Sequence, residues 1–273
     1  MNHINLNSSQ KTHMEMDFIN EDRKKIHQSW FAENTVDFWR HSRMYDTIQQ
    51  FALYYKDLSW LTIGDGRYGL DSIRLRKKFD IKNIFPTDIS GSMLKYSKEK
   101  GFIDNYGVEN AEALSFEDNS FDIVFTKESM HHWPRPYLGI YEMLRVAAKA
   151  VILIEPFDNH SVVDVRSDYE KSGNFIFRVN LREFNKIIHS CGCAGIAYTF
   201  FNDAYESGAE FEKFDEKSEI LKKIQLRIRE RDSSKTFSMT SLILFKDEIN
   251  LKLKTDLEKD KFIFPIKFQN PYL

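Results

Sequence analysis

The spacing of apolar positions divides the chain into three stretches. Residues 1–19 are polar and read as a frayed end. Residues 20–56 read as two helices. In the second, 42–56, Met44, Ile48, Phe51, Ala52 and Tyr55 recur at the spacing that gathers side chains on one helical face. From residue 58 the pattern alternates. Short apolar runs at 58–63, 82–86, Val108, 121–126 and 150–155 read as strands, and amphipathic segments at 70–79, 91–100 and 137–148 read as the helices between them. The run at 150–154 (AVILI) has no polar face, as suits a strand covered on both sides in a parallel sheet. Further on, 181–189 reads as a helix and 196–201 and 238–245 as strands. The charged stretch 210–231 carries Ile220, Leu221, Ile224 and Ile228 on one side. Strands alternating with helices predict an α/β fold, a doubly wound sheet. The division expected is an N-terminal tail and helical cap over 1–57, a main domain over 58–246 and a tail over 247–273 to which the pattern assigns no place.

Composition narrows the function. Of 273 residues, 42% are hydrophobic and 14% aromatic, enough for a sizeable core. Lys plus Arg number 39 against 41 Asp plus Glu, a formal charge of −2, so there is no general basic field for nucleic-acid phosphates. The longest apolar run is far short of the roughly 20 residues a membrane helix needs, and the polar start lacks the apolar stretch of a signal peptide. Two cysteines, Cys191 and Cys193, are too few for a disulfide framework and have no zinc spacing. The expectation is a cytoplasmic protein with no membrane, nucleic-acid or metal partner.

The candidate chemistry begins where the first strand runs into Gly64-Asp65-Gly66-Arg67-Tyr68-Gly69. Glycines between a strand and a helix let the backbone turn tightly, and the N–H groups of the following helix favour an anionic ligand. The same spacing matches the dinucleotide fingerprint G-x-G-x-x-G, so a nicotinamide-dependent oxidoreductase is an alternative reading. Asp88 ends the second strand, where a carboxylate accepts hydrogen bonds from both hydroxyls of a ribose. Its other reading is a cap for the helix that follows.

Residues Asn110-Ala111-Glu112-Ala113-Leu114-Ser115-Phe116, then Glu117-Asp118-Asn119-Ser120-Phe121-Asp122, and later Glu142-Met143-Leu144-Arg145-Val146, resemble the class I S-adenosylmethionine-dependent methyltransferases of small-molecule type. The resemblance spans about 58–156. It implies a Rossmann-like, seven-stranded, mostly parallel sheet and S-adenosylmethionine as cofactor. Carried over by position, Gly64 to Gly66 would pass the methionine part, Asp88 would hold the ribose and Ile89 would pack on the adenine. Asn110 and the backbone of Ala111 would meet the adenine edge, Glu112 beside them would also be cofactor-binding, and Thr126 and Lys127 would line the methionine end. The sequence departs from the family where Thr62 replaces an acid before the glycines. Asp65, inside the turn, is expected to take over contact with the cofactor's amino group.

Methyl transfer needs alignment and exclusion of water, and a hydroxyl acceptor also needs a base. Glu128, His131 and His132 follow the fourth strand, so that a histidine can act as base with Glu128 as its orienting partner. The competing reading is that the histidines only shape the pocket. Glu155, with Asp158, Asn159 and His160 after it, either faces the same crevice or forms an ordinary polar loop. Asn202-Asp203-Ala204-Tyr205 reads as a turn near the acceptor side. Trp30, Phe31, Phe38 and Trp39 read as core or as cover for the pocket. Lys222, Lys223, Arg227, Arg229 and Arg231 read as a solvated helix face. The function expected is methylation of a small molecule, at an oxygen of a saccharide or nucleotide-linked metabolite. A protein that binds S-adenosylmethionine without catalysis is the other alternative.

Overall fold

The structure is a computed structural model that describes Lys11, residues 29–158, Tyr169 and residues 175–265. Apart from Lys11, the expected frayed end lies outside the described residues, as do the start of the first expected helix and Asn159 and His160. Seven strands form one sheet: β1 (Trp60–Ile63), β2 (Ile84–Asp88), β3 (Gly107–Val108), β4 (Phe121–Lys127), β5 (Ala147–Pro156), β6 (Gly195–Phe201) and β7 (Met239–Phe245). Their order is β3-β2-β1-β4-β5-β7-β6. The first five pair in parallel, and β7 runs antiparallel between β5 and β6. The chain builds outward from β1 to β3 and then returns to place β4 on the other side of β1. That reversal opens a crevice at the carboxyl ends of β1 and β4.

All four residues of β1 are buried. Trp60 joins Leu75, Phe79, Ile123, Phe125, Ile152 and Ile243 on one face of the sheet. Leu61 and Ile63 join Val124, Val151, Leu153, Ile140, Met143 and Phe184 on the other. Two covered faces explain the unbroken apolar run of β5, because each successive side chain enters a different core. The covering helices are α1 (Val36–Asp46), α2 (Gln49–Tyr54), α3 (Leu70–Phe79), α4 (Ser92–Glu99), α5 (Pro136–Val146), α6 (Leu181–Ser190), α7 (Glu219–Ser234) and α8 (Leu251–Lys259). Among the described residues no helix is long and apolar enough to cross a membrane.

Three segments depart from the sequence reading. The expected helix 42–56 is broken between α1 and α2. Thr47 Oγ1 lies 2.6 Å from the Met44 carbonyl and 2.6 Å from Ser241 Oγ, so this side chain takes up the helix's terminal carbonyl and ties the break to β7. In 210–231 the helix begins only at Glu219, capped by Ser218, whose Oγ accepts from Leu221 N at 3.2 Å. The residues before it are stitched to the start of α1: Val36 N donates to Glu212 O at 2.9 Å and Phe214 N to Asn34 O at 2.7 Å. After residue 246, α8 packs Leu253 and Leu257 into the same core as Phe51 and Ile243. Ile263 then exchanges backbone hydrogen bonds with Tyr198 of β6, at 2.8 and 3.1 Å.

Candidate active site

The glycine turn closes tightly on its neighbours. Gly64 has φ +74°, and a Cβ there would lie 1.8 Å from Ser129 Oγ in the loop after β4. Only glycine combines that backbone with that approach. At Gly66 a Cβ would lie 2.6 Å from Asp88 Oδ2. Asp88 is therefore drawn into the turn at the end of β2. Its Oδ1 accepts from Ser90 N at 2.8 Å, and the Gly66 N–H also donates to the carboxylate. Burial pushes this carboxyl up to about 7 in spite of those two hydrogen bonds. Next to it, Ser90 Oγ is buried without a hydrogen-bond partner among the described residues. Ile89 stands half-buried between them.

Asp65 takes a different part from the one expected. Its Oδ1 accepts from Asp71 N at 2.9 Å, and its Oδ2 from Ser72 N at 3.0 Å, Ser72 Oγ at 2.7 Å and Thr62 Oγ1 at 3.0 Å. Both oxygens are spent on the first turn of α3, which makes Asp65 a buried helix cap. Burial and the adjacent Asp71 charge push its carboxyl up to about 7. Thr62, where the family has an acid, completes this cap.

Glu112, expected among the cofactor-binding residues, is buried and engaged by Arg135. It accepts from Arg135 N at 2.6 Å and Nε at 2.9 Å, and pairs with Nη2 at 2.7 Å. Asn110 Oδ1 accepts from Glu112 N at 3.0 Å, which fixes the turn presenting Ala111. Thr126 Oγ1 donates to Ile63 O at 2.9 Å and so clips β4 to β1. The polar residues of the motif's later part also hold the fold. Asp122 Oδ2 accepts from Ser59 N at 3.0 Å and Oγ at 2.7 Å. Arg145 reaches Phe116 O at 2.8 Å, Leu114 O at 3.0 Å and Asp118 at 2.9 Å.

Beyond β4 the loop is held from below by Glu155, a fully buried residue of β5. Glu155 Oε1 accepts from Ser129 N and Met130 N, both at 2.9 Å, and its Oε2 lies 2.7 Å from His131 Nδ1. The acid that orients His131 is thus Glu155, and the expected pairing with Glu128 is corrected. With Nδ1 on a carboxylate, the imidazole is set to keep its lone pair at Nε2. That nitrogen makes no hydrogen bond among the described residues. His132 packs its ring against His131 at a centroid distance of 3.9 Å.

Glu128 itself belongs to a buried charge cluster that joins β4 to α1. Its Oε2 lies 2.9 Å from Lys127 Nζ and 3.2 Å from His41 Nδ1. Lys127 enters this cluster, where its Nζ is also 3.3 Å from His41 Nδ1 and 3.7 Å from Asp71 Oδ1. Tyr45 OH donates to Asp71. On the far side, His41 Nε2 is 3.5 Å from Asp37 Oδ1, which pairs with Arg40 at 2.7 Å. Arg40 grips Asp203 with two bonds of 3.2 and 2.5 Å. Burial pushes Asp37 and Glu128 up. The imidazole of His41 with the charge of Arg40, in one case, and the charge of Lys127 with His41, in the other, outweigh it and hold both carboxyls well below the usual range.

Sequence reasoning did not single out Asp37, Arg40 and His41. The signal was their spacing, which sets all three on the buried side of α1. The aromatic residues beside them drew the reading instead. Trp30 and Phe31 do pack on Tyr68 of the glycine turn, at ring distances of 6.5 and 5.4 Å, whereas Trp39 stacks on Phe214. Asn202 is absorbed by Asp232 and the Thr236 carbonyl, at 2.7 and 2.9 Å.

Comparison with known proteins agrees with this architecture. Residues 61–154 match the family model described as a methyltransferase domain. Over 110 residues the chain is 28% and 26% identical to 2-methyl-6-phytyl-1,4-hydroquinone methyltransferases 2 and 1, chloroplastic, of Oryza sativa subsp. japonica. Each match covers 40% of this chain but only 31% and 33% of those relatives' own length. Among solved structures, the fold is similar to a SAM-dependent methyltransferase from Archaeoglobus fulgidus, with a TM-score of 0.51 and 19% identity over 76% of this chain and 94% of that one. It is also similar to phosphoethanolamine N-methyltransferase 2 of Haemonchus contortus, with a TM-score of 0.52 and 15% identity over 73% and 52%.

Proposed function

We propose that this chain, whose residues 61–154 match the methyltransferase-domain model, is a class I S-adenosylmethionine-dependent methyltransferase that transfers the methyl group of that cofactor to a hydroxyl oxygen of a small-molecule acceptor. A saccharide or nucleotide-linked metabolite is the acceptor class we favour. The residues at the ends of β1 and β2 fit the adenosyl part. The side-chain-free turn at Gly64 and Gly66 supplies the cradle, Asp88 supplies acceptors for the ribose hydroxyls, and Ser90 Oγ stands buried beside it with no partner among the described residues. When bound, S-adenosylmethionine supplies a methyl carbon activated by its sulfonium.

The observation that carries the reading is the His131–Glu155 pair beside the glycine turn. Glu155 fixes the ring of His131 and is placed to stabilise the imidazolium. Nε2 is left to take the proton that an acceptor hydroxyl must lose as its oxygen is methylated. The contact between Ser129 and the Gly64 position keeps the base and the cradle in one fixed arrangement. The curated relatives are named for a hydroquinone and one structural neighbour for phosphoethanolamine, so acceptors of quite different chemistry occur on this fold.

The test is calorimetric titration of the purified chain with S-adenosylhomocysteine and, separately, with NAD. Incubation with S-adenosylmethionine and a panel of sugars, nucleotide sugars, phenols and amines follows, read as S-adenosylhomocysteine released. Uptake of S-adenosylhomocysteine and turnover on a hydroxyl acceptor are expected. Saturation by NAD alone would overturn the proposal in favour of an oxidoreductase. Uptake of the methyl-donor product without turnover on any acceptor would leave a binding protein.

A further inference from the structure

Glu128 occupies a backbone position that favours glycine. Its φ is +47°, in the left-handed region that residues with a side chain rarely adopt. A glycine there would remove that strain, and with it the carboxylate's contacts with Lys127 and His41. The side chain does not reach the His131–Glu155 pair. It points the other way, to His41 at 3.2 Å on α1, while its own backbone N–H donates to Ile154 O at 2.9 Å on β5. The very next residues, Ser129 and Met130, give their N–H groups to Glu155. The loop that carries His131 is therefore gripped by two carboxylates from opposite sides, Glu155 from the sheet and Glu128 through α1.

On this basis, and resting on the proposed methyl transfer, we infer that His41 is a positioning residue: it holds Glu128, and through the left-handed turn at Glu128 it fixes the loop that presents His131. The imidazole bridges two carboxylates, Glu128 on β4's exit and Asp37 on its own helix, with Lys127 beside the first and Arg40 beside the second. Arg40 in turn anchors α1 to Asp203 after β6. Docking of α1 is thus coupled to the geometry of the base.

The experiment compares the full-length wild type with His41→Leu, His41→Asn and Glu128→Gly. It reads hydrogen exchange in the peptide spanning 127–133, S-adenosylhomocysteine affinity, and turnover on whichever acceptor the panel identifies. His41→Leu is expected to speed exchange in that peptide about tenfold and to lower kcat, with affinity for S-adenosylhomocysteine within about twofold of wild type. Asparagine offers a polar nitrogen or oxygen where Nδ1 stands, and should restore most of both losses. Glu128→Gly is the second variant: it relaxes the backbone yet removes the carboxylate, so it should loosen the loop, and its melting temperature, expected to fall because Lys127 and His41 lose a buried partner, is read alongside to fix a temperature at which the variant is folded. Wild-type exchange and turnover in both His41→Leu and Glu128→Gly, with cofactor uptake intact, would overturn the inference and leave the methyl-transfer reading standing. Failure of the wild type to take up S-adenosylhomocysteine would overturn that reading instead, whatever the exchange pattern.

Discussion

Asp88 illustrates a conflict between stability and binding at a single residue. Its folded-state pKa is raised to about 7 by burial, above the 3.8 of a free carboxyl. The folded state is therefore favoured where the group is protonated, and that contribution is lost as pH rises through 7. Asp88→Asn should accordingly raise the melting temperature of the ligand-free protein at pH 8, by an amount that shrinks towards pH 5. The same substitution removes an acceptor for the ribose hydroxyls and should weaken S-adenosylhomocysteine binding by roughly tenfold or more. In the wild type, affinity should fall between pH 8 and pH 6 as the carboxylate takes up its proton. Calorimetry and thermal melts across this range check both signs, and an unchanged affinity in Asp88→Asn would remove the ribose assignment. At His131, alanine substitution should abolish most turnover on a hydroxyl acceptor and leave cofactor affinity intact. Glu155→Gln is expected to lower turnover and also to disturb the loop, since Glu155 holds two of its amides.

Helix α1 is the element on which the cap depends. Its buried face is divided between the apolar Val36, Met44 and Tyr45 and the ionisable Asp37, Arg40 and His41, with Trp39 packed beside Val36. Its hold on the molecule is the Arg40–Asp203 pair, the His41 contacts and backbone bonds to residues 209–214. Breaking a buried ion pair strands the remaining charge, so Arg40→Met should cost about 3–5 kcal/mol in urea unfolding, whereas replacing Arg40 and Asp203 together by apolar residues should cost markedly less. The specific run 110–146 behaves in the opposite way. Its Asp122, Glu142 and Arg145 were legible as a motif, and they stabilise the turns between β3, β4 and α5 without reaching the cradle.

At the scale of the whole molecule, the order of strands decides where chemistry is placed. β1 sits between β2 and β4, so the glycine turn, Asp88 and the His131 loop converge at one end of the sheet. The C-terminal segment is part of that body, because Leu253 and Leu257 share a core with Phe51 and Trp60. Leu257→Ala should therefore cost about 2–5 kcal/mol and leave a single cooperative melting transition. Saturating S-adenosylhomocysteine should raise the melting temperature of wild type and of Leu257→Ala alike by linkage, since residue 257 lies far from the cradle.

The strands and helices between residues 58 and 156 were readable from local periodicity, because each buries a stripe or a face whose spacing the chain itself records. The glycine turn and Asp88 were readable too, since a tight turn followed by a terminal acid is a local pattern. What the chain could not record is which polar groups meet across it. Asp65 was drawn to α3, Glu112 to Arg135, Lys127 and Glu128 to His41, and His131 to Glu155 twenty-four residues away. Each buried carboxylate must find donors wherever the fold brings them, and that choice is made only when the sheet order sets distant strand ends side by side.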